Sequence, residues 1–215
     1  MAEGFFETLG RLANEGYGVG QSRSTRTPIL FVRKPSFELG GQPVLGAYDP
    51  IPGTTAPGIN RAANSLFLAY GRTPPAVVAT GDREPGAVSE TVRHESAHHM
   101  LQGAIAKRVK AKDEMEWSRG VLGGLSRQSF DYANQIASSG AIPAGYDADP
   151  RSILQESVAY ATQQNTPEAV RFLSEIGKQV NIGDVLKAGA PGVEATVKAK
   201  MTFDQILSVL GAGEK

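Results

Sequence analysis

The stretch Val92-Arg93-His94-Glu95-Ser96-Ala97-His98-His99-Met100 holds all 3 histidines of this 215-residue chain, and its reading decides the fold. Within it stands His-Glu-x-x-His. On an α-helix, residues four apart lie one above the other, so His94 and His98 can aim two imidazoles at one metal ion. Glu95 projects beside them and can serve as general base on a metal-bound water. A lone histidine on such a helix reads as a satisfied polar residue. Two of them, four apart and flanking a glutamate, read as metal ligands. His99 points about 100° away from His98 and reads as a packing or outer-sphere residue.

The motif needs a helix, and its flanks supply one. Pro85 suits a first helical turn, and Glu84 and Glu90 lie near the positive end of the helix dipole. From Val88 onward, Val92, Leu101, Ile105 and Val109 recur at helical spacings, and no proline interrupts before Lys112. Lys107, Arg108, Lys110 and Lys112 sit near the negative end, where cations are favoured.

Working outward, a β region precedes this helix. Pro28–Val32 reads as a buried strand, Pro43–Tyr48 as another and Pro75–Thr80 as a third, with a turn over residues 49–53. Leu66–Tyr70 is apolar and fits strand or helix equally. Residues 1–15 form a short amphipathic helix with Phe5, Phe6, Leu9 and Leu12 on one face, ended by the glycines of residues 16–20. Downstream, Ser118–Tyr146 is rich in Gly and Ser, with a helix around Ser126–Ala137. Asp149 caps a helix that has Pro150 at its first position and runs to about Gln164. Thr166-Pro167-Glu168 opens another to about Gln179, and Thr202-Phe203-Asp204-Gln205 resembles the capping box of a terminal helix.

Composition limits the chemistry. There is no cysteine, so disulfides and thiolate metal sites are excluded, and a metal must be held by His and carboxylate. Lys plus Arg and Asp plus Glu each total 22, a balance that leaves no basic footprint for nucleic acid or an anionic membrane. The apolar runs are too short to span a bilayer, and the acidic N-terminus lacks the pattern of a signal peptide. The expectation is a soluble protein without membrane insertion.

A catalytic zinc takes three protein ligands and keeps one position open. With two histidines assigned and no third well placed, the remaining ligand should be a carboxylate. The best candidate is Glu156, in Leu154-Gln155-Glu156-Ser157-Val158-Ala159-Tyr160-Ala161, where small residues allow close approach of another helix. Asp131, Asp147 and Asp149 are alternatives, although Asp149 is better explained as a helix cap and Asp147 as a loop residue. Tyr160, one turn after Glu156, or Tyr146 could donate a hydrogen bond to a developing oxyanion, with packing the competing role for each. Glu90 could orient His94 or stabilise its helix terminus. Trp117 reads as a core residue.

With these residues in view, the chain resembles the gluzincin branch of the zincin metallopeptidases. His-Glu-x-x-His-His followed by a Glu-x-x-Ala-aromatic helix is similar to ImmA/IrrE-type peptidases, and equally to the zincin domains of phage and mobile-element polyproteins. The resemblance implies zinc bound by His94, His98 and Glu156, with Glu95 as base in peptide-bond hydrolysis of a protein or peptide substrate. It implies an α+β, zincin-like fold: a small N-terminal β-sheet packed on the motif helix, then a mainly helical C-terminal half. The organisation expected is a helix and Gly-rich arm over 1–27, the metallopeptidase domain over 28–165 and a helical extension over 166–215. The location expected is cytoplasmic or phage or mobile-element associated. The rival reading is a zincin-like structural or interaction protein without turnover, such as a component of a phage particle or secretion assembly.

Overall fold

A computed structural model describes residues 4–22, 25–33, 38–39, 42–43, 45–48, 57–142, 149–164 and 166–179. The chain is α+β, with a small four-stranded mixed sheet and a mainly helical remainder. It divides into two compact units, Met1–Ser96 and Ala97–Lys215, and the division falls within the motif helix.

The first unit begins with helix α1 (Phe5–Asn14) and strands β1 (Gly18–Gln21) and β2 (Pro28–Val32). A two-residue pair, β3 (Glu38–Leu39) and β4 (Gln42–Pro43), follows, then β5 (Gly46–Tyr48), helix α2 (Pro57–Ala69) and β6 (Ala76–Ala79). The sheet order is β1-β2-β6-β5. β2 and β6 run parallel, with α2 in the connection between them, while β1 and β5 flank them antiparallel. Side chains alternate across a pleated strand, so each register pair commits both residues to one face. Leu30 pairs with Val77 and Val32 with Ala79, and this face is buried together with Leu12 of α1 and Ile59, Ala62, Ala63 and Leu66 of α2. The row Gly18, Phe31, Val78 and Gly46 points the other way.

Sequence reading and structure part at three places here. Of the glycines expected to end α1, Gly16 does so at positive φ, whereas Gly18 and Gly20 lie in β1, where the Phe31 ring covers them: a Cβ at Gly20 would stand 2.9 Å from Phe31 Cε2. Leu66–Tyr70, undecided between strand and helix, falls at the end of α2, whose buried residues Ile59, Ala62, Ala63 and Leu66 follow the helical i, i+3, i+4, i+7 pattern. The strand expected over Pro43–Tyr48 is split between β4 and β5. On α1, Leu12 is fully buried but Phe6 is 84% exposed, because Phe6 lies about 100° around the helix from Phe5 and off the buried stripe. Phe5 makes edge contacts with the rings of Phe6 and Tyr70.

Helix α3 (Pro85–Arg108) carries the motif. The second unit comprises its later turns, a 3-10 turn at Ala111–Asp113 and helices α4 (Glu114–Gly123), α5 (Arg127–Ser138), α6 (Pro150–Gln164) and α7 (Pro167–Gln179). Helix α6 is central and packs on α4, α5 and α7. Its Leu154, Ser157, Ala159 and Ala161 are essentially inaccessible to solvent, where the small Ser157, Ala159 and Ala161 leave room for its neighbouring helices. Tyr132 and Phe172 pack ring to ring, and Tyr132 donates to Gln164 Oε1 at 3.0 Å. Burial pushes the Tyr132 phenol up to about 12. Trp117 packs against this core, as its size suggests. Helix α4 was not expected, and the terminal helix expected from Thr202 lies outside the described residues. No helix among the described residues is long and apolar enough to cross a membrane.

Candidate metal centre

Two helices build the centre. On α3, Glu95 is 5% exposed and His98 8%, while His94 is partly buried one turn earlier on the same helix. Their spacing is set by the helix itself, so the two imidazoles share one face. On α6, the Asp149 carboxylate accepts from the backbone N–H of Arg151 at 2.8 Å and of Ser152 at 3.0 Å, satisfying two of the donors a helix start leaves free. Arg151 also donates two side-chain bonds to Asp149, and this partner holds the Asp149 carboxyl below the usual range. The cap fixes where α6 begins, and the buried Leu154, Ser157, Val158 and Ala159 fix its rotation. Glu156 is thereby left on the partly exposed face.

His98 Nε2 lies 3.6 Å from Glu156 Oε1. One ligand atom from each of His94, His98 and Glu156 lies within 4.8 Å of the others, and among the described residues no other group of this kind forms. Zinc bonds to nitrogen and oxygen at about 2.0–2.1 Å, so tetrahedral neighbours stand about 3.3 Å apart. The His98–Glu156 spacing is close to that, and no pair needs to close by more than about 1.5 Å to share one ion. Two imidazoles and one carboxylate, with no thiolate, match the donor set of a catalytic zinc with an open fourth position. The residues fit the ion.

The other candidates fall elsewhere. Asp131 is exposed and pairs with Arg127 one turn away on α5, at 3.9 Å. Asp149 is the α6 cap. Asp147 and Tyr146 lie outside the described residues. Tyr160 follows Glu156 by one turn on α6 and packs, partly buried, against the helical core. Glu90 is exposed on α3, and His99 is partly buried.

Sequence reading missed the residues around Glu95. A Cβ at Gly46 would stand 2.5 Å from Glu95 Oε1 and 2.6 Å from Thr91 Cγ2, so the motif helix runs directly over the backbone of β5. Arg83 joins the end of β6 to the start of α3. Its guanidinium donates to the Ala79 carbonyl at 2.8 Å, the Ala87 carbonyl at 2.7 Å and the Thr91 hydroxyl at 2.7 Å. The Thr91 hydroxyl in turn donates to the Ala87 carbonyl at 3.2 Å. No motif in the sequence marks Gly46; only the strand register brings it to Glu95. No protein-family model, curated protein or solved structure matches the chain.

Proposed function

We propose that this chain is a zinc-dependent, gluzincin-like peptidase with a zincin-like fold. The observation that carries the reading is the meeting of Glu156 with the two motif histidines, next to a buried glutamate at the motif's second position. A solvated polar helix face gives no reason for a carboxylate from a distant helix to lie 3.6 Å from His98.

His94, His98 and Glu156 would hold the ion, which when bound supplies a Lewis acid that polarises a carbonyl and acidifies water. Glu95 takes a proton from the attacking water as the water oxygen bonds to the carbonyl carbon. The same carboxyl then returns that proton to the amine nitrogen as the C–N bond breaks. Burial keeps bulk water from competing for the Glu95 carboxylate. Tyr160, one turn after Glu156 on α6, would donate a hydrogen bond to the developing oxyanion. Strand β5 is an edge strand among the described residues, and its backbone passes beside Glu95 at Gly46. An extended peptide pairing with that edge would present its own backbone to the base, which favours a peptide substrate.

The test is Glu95→Gln, which keeps the side chain's shape and removes its basicity. Turnover of fluorescein-labelled casein should fall by about 10²- to 10⁴-fold while bound zinc is unchanged. Full activity in that variant would contradict the reading.

A further inference from the structure

Glycine is required either for a backbone conformation or for a close approach, and the two can be told apart. Gly46 is not among the positive-φ residues of the chain, so its conformation is open to any residue. Close approach is the reason. Its Cβ would stand 2.5 Å from Glu95 Oε1, 3.0 Å from Glu95 Cδ and 2.6 Å from Thr91 Cγ2, whereas non-bonded atoms settle at about 3.5–4.0 Å. Something must yield.

Three groups meet at this point, and they differ in how readily each can shift. The Thr91 methyl cannot swing aside without turning its hydroxyl away from Arg83 and the Ala87 carbonyl. Strand β5 is held by its pairing with β6, where Gly46 faces Val78, and by the bond from Ala79 N–H to the Leu45 carbonyl at 2.9 Å. The Glu95 side chain is longer, and its carboxylate is the flexible end. A side chain at position 46 therefore displaces the Glu95 carboxylate. We propose that Gly46 is a positioning residue for Glu95: its bare Cα is the seat of the carboxylate, and the Arg83–Thr91 latch keeps α3 at a fixed height above that seat. The proposal rests on the peptidase reading, because the seat matters to turnover only if Glu95 is the base.

The test uses the full chain with Gly46→Ala, Thr91→Ser and the two combined. Zinc per chain, nuclear Overhauser contacts and casein kinetics are measured on each. In the wild type, a contact between the Gly46 α-protons and the Glu95 γ-protons is expected. Gly46→Ala should keep its zinc and hold KM within about 2-fold. Its kcat should fall about 10- to 100-fold, the scale of a misplacement near 1 Å. Thr91→Ser removes the obstructing methyl but keeps the hydroxyl, so adding it to Gly46→Ala should restore part of kcat and of the Glu95 contact. An unchanged kcat in Gly46→Ala, loss of zinc together with kcat, or no wild-type contact would overturn the proposal. The last of these decides the matter even if Gly46→Ala does not fold. If Glu95→Gln proves as active as the wild type, the peptidase reading fails instead, and the contact data still report whether the seat exists.

Discussion

Glu95 and Glu156 are both glutamates of the candidate centre, yet they are held in different ways. Glu156 is placed by packing: a capped helix start and a ring of buried residues set the rotation of α6, and the carboxylate follows. Glu95 is placed by a gap: β5 lacks a side chain at Gly46, and Arg83 and Thr91 hold the helix above it. On the proposed reading, the first support would govern whether the ion stays and the second whether the base works. Damage to each should therefore give a different phenotype.

The largest effect is expected on the packed side. Glu156→Ala should weaken zinc by more than about 100-fold, beyond the range usual for residues outside the ligand set, as read by competition with a chromophoric chelator. Affinity that stays at the wild-type value would remove Glu156 from the centre. Leu154→Ala, at a fully buried site one turn from the cap, should cost about 2–5 kcal/mol in urea denaturation. It should also weaken zinc as α6 loosens, whereas a stability loss with wild-type zinc affinity would separate helix packing from the ligand.

The other side predicts the opposite pattern. Arg83→Ala leaves the Ala79 carbonyl and the Thr91 hydroxyl short of a donor, at about 1–3 kcal/mol, and should lower casein turnover while zinc stays bound. Zinc loss in that variant would erase the contrast. The smallest effect concerns the α6 cap. The Arg151 guanidinium holds the Asp149 carboxyl below its usual range, so the folded state binds that proton less readily than the unfolded chain does. The resulting stability is complete above about pH 4–5 and is lost as pH falls through the lowered folded value. Asp149→Asn keeps a capping oxygen but no charge. It should cost about 0.3–1 kcal/mol at pH 7, with the difference from wild type shrinking as pH falls through the lowered Asp149 value. A difference constant over that range would mean that the charge contributes nothing.

The same contrast explains what the sequence disclosed. Local signals sufficed for the packed side: the His94–His98 spacing, Asp149-Pro150 and Thr166-Pro167 at helix starts, and Glu156 with its small neighbours. Each concerns residues within a few positions of one another, where helix geometry alone sets the contacts. Helix α2 was harder, because its buried face is built from Ala62 and Ala63 as well as Ile59 and Leu66, and alanine carries little periodic signal. Strand β1 was hidden because Gly18 and Gly20 mark turns unless an aromatic ring covers them, and that ring sits on another strand. The seat of Glu95 had no local signal at all. Gly46 meets the motif only through the register of β5 on β6 and the arginine after β6.

The central claim is that His94, His98 and Glu156 together hold one zinc ion. Elemental analysis of protein purified without chelator tests it most directly, with the wild type set beside His94→Ala, Glu156→Ala and Glu95→Gln. The account predicts one zinc per chain in the wild type and in Glu95→Gln, and none in the two ligand variants. No zinc in the wild type even after reconstitution, iron in its place, or zinc retained in Glu156→Ala would contradict it.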